Sequence, residues 1–300
     1  MKKLLNRYIN GNYSVRIYED GTKIRFTKDD EFKAEFPENI DLKITNYCPI
    51  GCPMCHEKST TQGKHSDIVN EEFINSLVPG TELALGGGMV TSYPKLKELL
   101  IKLHDKGIIA NITIHKDELL GKLDFIKELI SQKLVYGIGV SISNVDVTDE
   151  FINLIKSLGN NIVLHVIAGI TKMETFNKLA NHNLKILILG YKTFGRGNDY
   201  FNKYNDSISR EIELLNSNLN KLMYEFAVMS FDNLALEQLD VKHKVDQQTW
   251  DDFYMGEDGQ HTMYIDAVER KFGRNSTSTI RYDLLNDIRD MFKVVKEENV

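Results

Sequence analysis

Apolar and polar residues alternate over 13–18 and again over 22–27, with Asp20-Gly21 between the two runs. Period-two patterning across an Asp-Gly pair predicts a β-hairpin. From residue 38 the pattern becomes a succession of short apolar runs and longer amphipathic ones. It predicts strands over 40–46, 82–85, 108–114, 135–143, 162–167 and 184–189, and helices near 70–78, 93–106, 116–132, 147–158 and 172–181. The 135–143 run is apolar on both faces, as strands buried in a parallel sheet are. With a sixth helix drawn from the segment after Lys192, the chain offers six strand–helix units on short connections. Such alternation implies an α/β fold whose parallel strands are joined by right-handed crossovers. Periodicity alone fits a barrel and a doubly wound sheet equally.

Beyond residue 198 the rhythm changes. A polar helix over 199–219 carries Ile208, Ile212 and Leu215 as its apolar stripe, and a strand follows over 225–231. The 253–266 stretch reads as a hairpin around Asp258-Gly259, and 283–298 as an amphipathic helix. The expected division is an N-terminal hairpin extension (1–37), a core (38–198) and a C-terminal α/β extension (199–300) that completes or caps it.

Composition narrows the function classes. Hydrophobic residues at 42% and charged residues at 27% are ordinary for a soluble globule of 300 residues. No apolar run approaches the ~20 residues that span a membrane, and the first residues lack a signal-peptide core. A cytoplasmic setting is expected. The net charge of −6, with no dense Lys/Arg block, argues against tight binding of long nucleic acid.

The three cysteines change the picture most. Cys48, Cys52 and Cys55 are the only ones in the chain, spaced C-x3-C-x2-C directly after the 40–46 strand. An odd count at such tight spacing argues against a disulfide framework. The interleaved Pro49, Gly51 and Pro53 argue for a loop, not for cysteines packed in a core. Zinc would take a histidine as fourth ligand, and His56 and His65 are near, although His56 adjoins Cys55 and turns back on the same ion awkwardly. Thiolates also hold iron–sulfur clusters. Three thiolates leave one position open for something else.

In this spacing and place the chain resembles the radical S-adenosylmethionine (radical SAM) enzymes. The resemblance implies that Cys48, Cys52 and Cys55 bind three irons of one [4Fe–4S] cluster, while the amino and carboxylate groups of S-adenosylmethionine (SAM) chelate the fourth. One electron then cleaves the C5′–S bond, and a 5′-deoxyadenosyl radical abstracts hydrogen from a substrate. The residue before the third cysteine, usually aromatic and near the adenine, is here Met54. Gly86-Gly87-Gly88 falls where the family carries Gly-Gly-Glu-Pro against the SAM amino group, and Tyr93-Pro94-x-Leu96 follows as expected; alone, the glycines would read as a flexible turn. Met89 and Val90 occupy the Glu and Pro places, so the carboxylate is missing. Ser141, Ser143 and Asn144 close the fourth strand where the family places polar groups on the ribose, although Asn144 or Asp146 equally suits a helix cap. Gly169 and Ile170 match an adenine-contacting element loosely, with Lys172 where a glutamate is expected. Lys192 and Arg196 offer charge to an anionic substrate group or the SAM carboxylate.

The fold the resemblance implies is a partial (βα)6 TIM-like barrel with its site at the C-terminal ends of the strands. With no further cysteine there is no auxiliary cluster. An electron donor such as flavodoxin or ferredoxin is implied. A small-molecule or nucleotide-like substrate is the first expectation, a peptide or protein side chain the second, and a non-enzymatic zinc or iron–sulfur protein the alternative of another class. His56, His65, Tyr191, Asp232, Asn233 and Tyr264 are further residues that can face the site.

Overall fold

The computed structural model describes residues 2–142, 147–159 and 161–298. Strands β1 (Leu4–Asn10), β2 (Tyr13–Tyr18) and β3 (Lys23–Phe26) form a three-stranded antiparallel sheet. β2–β3 is the expected hairpin. β1 was not expected, because Leu4-Leu-Asn-Arg-Tyr-Ile-Asn10 alternates poorly and turns into β2 through Gly11 at φ +58°.

The strand–helix series follows: β4 (Asn39–Thr45), α1 (Glu72–Ser76), β5 (Glu82–Gly87), α2 (Leu96–Asp105), β6 (Ile109–His115), α3 (Lys116–Gly121), α4 (Leu123–Ser131), β7 (Gly137–Ser141), α5 (Asp149–Ser157), β8 (Ile162–Ile167), α6 (Met173–Leu179), β9 (Lys185–Leu189) and α7 (Arg196–Leu222). The helix expected over 116–132 is two, broken at Lys122, whose φ of −129° is not helical. The remaining elements are β10 (Val228–Phe231), α8 (Asn233–Gln238), α9 (Gln247–Phe253), β11 (Thr262–Asp266), β12 (Lys271–Gly273), β13 (Tyr282–Asp283) and α10 (Ile288–Glu297).

The second sheet has ten strands in the order β10-β9-β8-β7-β6-β5-β4-β11-β12-β13, and β10 through β11 are all parallel. Eight parallel strands stand where six were expected, because residues after 198 add β10 at one end and β11 beside β4. The hairpin expected around Asp258-Gly259 is not formed. Thr262–Asp266 is β11 itself, paired parallel with β4, and the true hairpin joins β11 to β12 with Arg270 at φ +55°. Its run Met263-Tyr-Ile-Asp266 is buried throughout, as an interior parallel strand must be.

Alternation within each strand sets both core and cavity. On β8, Ile162, Leu164 and Val166 are buried in the core, while Val163, His165 and Ile167 line a cavity. Each such core side chain contributes roughly 1.5–3 kcal/mol by leaving water. The inner faces of β4 to β11 all border that cavity, of about 1130 Å³. The β2–β3 turn lies across the beginnings of its strands: Asn161 Nδ2 donates to the Glu19 carbonyl at 2.8 Å and Lys185 Nζ to the Asp20 carbonyl at 3.0 Å. No described helix is long and apolar enough to cross a membrane.

Candidate active site

The cysteine loop leaves the C-terminal end of β4 and closes on its own base. Asn46 N–H donates to the Lys64 carbonyl at 2.8 Å, Thr60 N–H to the Asn46 carbonyl at 3.1 Å and Cys48 N–H to the Thr60 carbonyl at 2.8 Å. Gly51 turns the chain at φ +72° between the first two cysteines. The three thiols are free and half-buried, and all border the large cavity. Burial pushes the Cys48 thiol up; burial and the neighbouring thiols do the same for Cys52. Both histidines near the cysteines in sequence are engaged elsewhere: His65 Nδ1 meets Thr45 Oγ1 at 2.8 Å, and His56 Nε2 faces Glu57 at 3.4 Å. Among the described residues no three His, Cys, Asp or Glu converge as ligands of one metal ion would. The three thiols share one loop and one cavity but do not meet as ligands of a single ion would.

The glycine run at the end of β5 supports this loop from beneath. Gly88 N–H donates to the Thr45 carbonyl and Met89 N–H to the Tyr47 carbonyl, both at 2.7 Å. A Cβ on Gly88 would overlap the Tyr47 carbonyl, and one on Gly87, at φ +110°, the Thr45 carbonyl. A Cβ on Gly86 would meet nothing within 4 Å, and this residue borders the cavity. Two of the glycines therefore allow backbone to touch backbone, and the third leaves a bare wall.

The other expected contacts fall into two groups. Met54, Ser141 and Lys192 border the cavity together with the cysteines. Met54 also packs against the buried cluster of Ile170, Tyr191 and Ile208. Gly169, at φ +78°, is pressed against Ile208 and Ile212 of α7, and neither Gly169 nor Ile170 is among the cavity-lining residues. Ser143 and Asn144 lie outside the described residues. Lys192 Nζ donates to Ser276 Oγ at 3.0 Å. Arg196 points elsewhere than expected: its guanidinium donates to the carbonyls of Cys52 and Ser59.

No protein-family model and no curated protein sequence matches the chain. Among solved structures, SuiB of Streptococcus suis bound to the precursor peptide SuiA superposes with a TM-score of 0.61 at 12% identity, covering 91% of this chain and 82% of that one. SuiB bound to S-adenosylmethionine gives 0.56 at 11% identity, covering 91% and 81%. The chain has the fold of SuiB. At this identity the likeness to SuiB is one of backbone course over nearly the whole chain.

Three groups at the cavity were not singled out in the sequence, apart from Tyr264 in the first of them. The first is an ionic cluster joining β4, the cysteine loop and β11. Lys43 Nζ lies 2.8 Å from Glu57 Oε2 and 3.0 Å from Asp266 Oδ2, and Tyr264 OH donates to Glu57 at 3.1 Å. Burial alone would raise the Glu57 carboxyl, but His56 and Lys43 outweigh it and hold it at about 2. The second is Glu118, buried at the start of α3, which accepts from Thr91 N–H at 2.6 Å. Burial pushes its carboxyl up against that bond, and its charge is felt at Cys48. Glu118 is also one half of a capping box with His115 at the start of α3.

The third is His165, whose ring lies so close to Gly139 that any Cβ there would overlap it. Burial holds this imidazole neutral, down to about 4, and burial with the Arg25 charge does the same for His261. Each free histidine binds its proton near pH 6.5, so between the two values the unfolded chain holds more protons than the folded one. Stability from these residues is present above about pH 6.5 and is lost as pH falls through about 4. Urea unfolding is expected to show a slope of up to about 1.4 kcal/mol per pH unit for each histidine inside that window. The slope should flatten in His165→Gln.

Asp41 on β4 and Asp232 at the start of α8 both feel the charge of Lys192. Asp41 is open to the cavity yet enclosed by protein, and burial, with Asp258 and Asp232 nearby, pushes it to about 6 despite Lys192. Asp232 is also raised by burial and caps α8 through Ala235 N–H at 2.8 Å. These three residues and Ser276 form the boundary with a second cavity of about 670 Å³, which Trp250 and Tyr254 line on its outer side.

Proposed function

We propose that this chain is a radical SAM enzyme that modifies a peptide. The observation that carries the reading is the placing of Cys48, Cys52 and Cys55 at one cavity with Gly86, in the fold of a protein whose structures hold S-adenosylmethionine and a precursor peptide. The sequence ranks a small or nucleotide-like substrate first; the likeness to SuiB bound to SuiA supports the peptide instead. In this reading β4 to β9 with their helices are the partial (βα)6 barrel, residues 1–37 close its floor and 199–300 complete its wall.

The three cysteines would hold the [4Fe–4S] cluster. When bound, the cluster and SAM supply a 5′-deoxyadenosyl radical, after one electron from a donor such as a flavodoxin or ferredoxin in the cytoplasm. The chain's own residues bind and orient. Gly86 gives SAM a wall without side chains, and Met54 an apolar surface. Ser141 offers a hydroxyl to the ribose, with Ser143 and Asn144 next in sequence and Gly169 and Ile170 supporting the adenine side through α7. Glu118 supplies the carboxylate that Met89 does not. Lys192 lies on the substrate side, between the two cavities. A volume of about 1130 Å³ exceeds that of most single-ligand pockets and suits a cofactor with part of a substrate.

The test is anaerobic reconstitution with iron and sulfide, then dithionite and SAM. The expected result is a brown protein that forms 5′-deoxyadenosine and changes the mass of a peptide encoded beside its gene. A colourless protein with stoichiometric zinc would sink the enzyme reading. Cleavage of SAM with every peptide unchanged, and a metabolite changed instead, would restore the small-molecule reading.

A further inference from the structure

Arg196 begins α7, yet its bonds are all made to the cysteine loop. Nε and Nη2 both donate to the Cys52 carbonyl, at 3.2 and 3.0 Å, and Nη1 donates to the Ser59 carbonyl at 2.9 Å. Its own backbone N–H donates to the Cys55 carbonyl at 3.1 Å. The glycines on either side make this approach possible. Gly195, at φ +60°, lies against the His56 carbonyl with no room for a Cβ, and Gly197 is pressed onto the Lys192 carbonyl. Tyr191 OH secures the turn by donating to the Gly197 carbonyl at 2.7 Å.

Three features distinguish this from an ordinary surface contact. The turn follows β9 and the loop follows β4, with four strands between them in the sheet, so the bonds reach across the cavity mouth. Cys48 is tied to Thr60 at the base, whereas Arg196 holds the 52–59 limb at both ends, together with Ser59 Oγ donating to Asn46 and Glu57 paired with Lys43. Moreover, among the described residues the guanidinium makes no ion pair; its partners are neutral carbonyls. A guanidinium is always charged, and a part-buried cation without an anion favours negative charge beside it.

We infer that Arg196 is a positioning residue that holds Cys52 and Cys55 in the arrangement that binds the cluster, and that its unpaired charge stabilises the reduced, more negative cluster. The inference rests on the function proposed above. Reduction takes one electron from the donor protein, or from dithionite in its place, and no bond to Arg196 forms or breaks. Charge and hydrogen bonds around the sulfurs are among the factors that set cluster potentials.

Two measurements test it separately. In the reduced, metal-free protein, iodoacetamide labelling resolved by peptide mass reads each thiol. At a pH high enough to ionise all three thiols, so that only access is read, Arg196→Ala is expected to speed labelling of Cys52 and Cys55 several-fold and leave Cys48 unchanged. In the reconstituted protein, a dye-coupled dithionite titration reads the potential. Arg196→Ala is expected to cut the reduced-to-oxidised ratio about tenfold at a fixed potential, equivalent to about 59 mV for one electron. Arg196→Gln, which keeps a donor for the Cys52 carbonyl but no charge, should label nearly as slowly as wild type and still show the lowered potential. It also serves if the alanine variant folds poorly. Unchanged labelling together with an unchanged potential overturns the inference. Faster labelling with an unchanged potential overturns its electrostatic half and reduces Arg196 to a loop tether. If the wild type takes up no iron, the proposed function fails while the labelling still reads the tether.

Discussion

Cys52→Ala is expected to take up little iron on reconstitution and to form 5′-deoxyadenosine only at background. Removing a residue that merely orients a metal ligand costs about 10–100-fold in affinity or activity, and removing a ligand should cost more. Cys48→Ala and Cys55→Ala should behave alike, since the proposed cluster uses all three thiolates. The fold should survive. The three thiols are half-buried and lie in a loop whose base is held through its backbone. Their loss should change stability by less than about 1 kcal/mol. Iron analysis, the visible spectrum and chromatographic measurement of 5′-deoxyadenosine check the first half, and urea unfolding the second. A Cys52→Ala protein that keeps its iron and cleaves SAM at the wild-type rate would remove the ligand assignment.

The glycine run supplies the second large effect, and its three members should respond differently. Gly87→Ala places a Cβ into the Thr45 carbonyl at a φ of +110°. Left-handed strain of about 1–3 kcal/mol adds to an overpacking cost of about 1–3 kcal/mol, so a loss of roughly 2–6 kcal/mol is expected. Gly88→Ala meets the Tyr47 carbonyl without the unusual φ and should lose about 1–3 kcal/mol. Gly86→Ala meets nothing and should leave stability within about 1 kcal/mol of wild type. Yet it narrows the bare wall of the cavity, so its cost should appear in SAM affinity. Urea unfolding of the three variants, with SAM binding by calorimetry on the reconstituted protein, separates the roles. Equal losses of stability at 86 and 88 would show that the backbone contact is not what the glycines serve.

Local chemistry was legible in the sequence and long-range pairing was not. Residues 162–167 announce β8 because five of six are apolar and turn signals bound them. The cysteine loop announces itself by spacing. By contrast, 253–266 contains an Asp-Gly pair that suits a hairpin locally, and only the free edge of β4 explains why 262–266 became a parallel strand instead. Arg196 likewise offered its charge to a substrate or to the SAM carboxylate, since nothing near it in sequence says that its partners are the carbonyls of Cys52 and Ser59. Glu118 and His165 each had a bland local role, a cap and an inward strand position, and acquired a second meaning only when seven other strands bent round the same space. Gly169 shows the converse: a glycine that matched a motif loosely is pressed onto α7, which lies tens of residues further along the chain.

The place of β11 beside β4 has a consequence for how the protein is made. Lys43 and Asp266, which bond at 3.0 Å, are separated by 223 residues of chain. A growing polypeptide therefore carries the cysteine loop long before the strand that flanks it has been synthesised. Until then β4 keeps a bare edge, and Lys43 and Glu57 lack their third partner. Pairings of such sequence separation form late and slowly. The loop reaches its final setting only when the last fifth of the chain has emerged, so a shortened chain that keeps all three thiols should still lack a finished site for them.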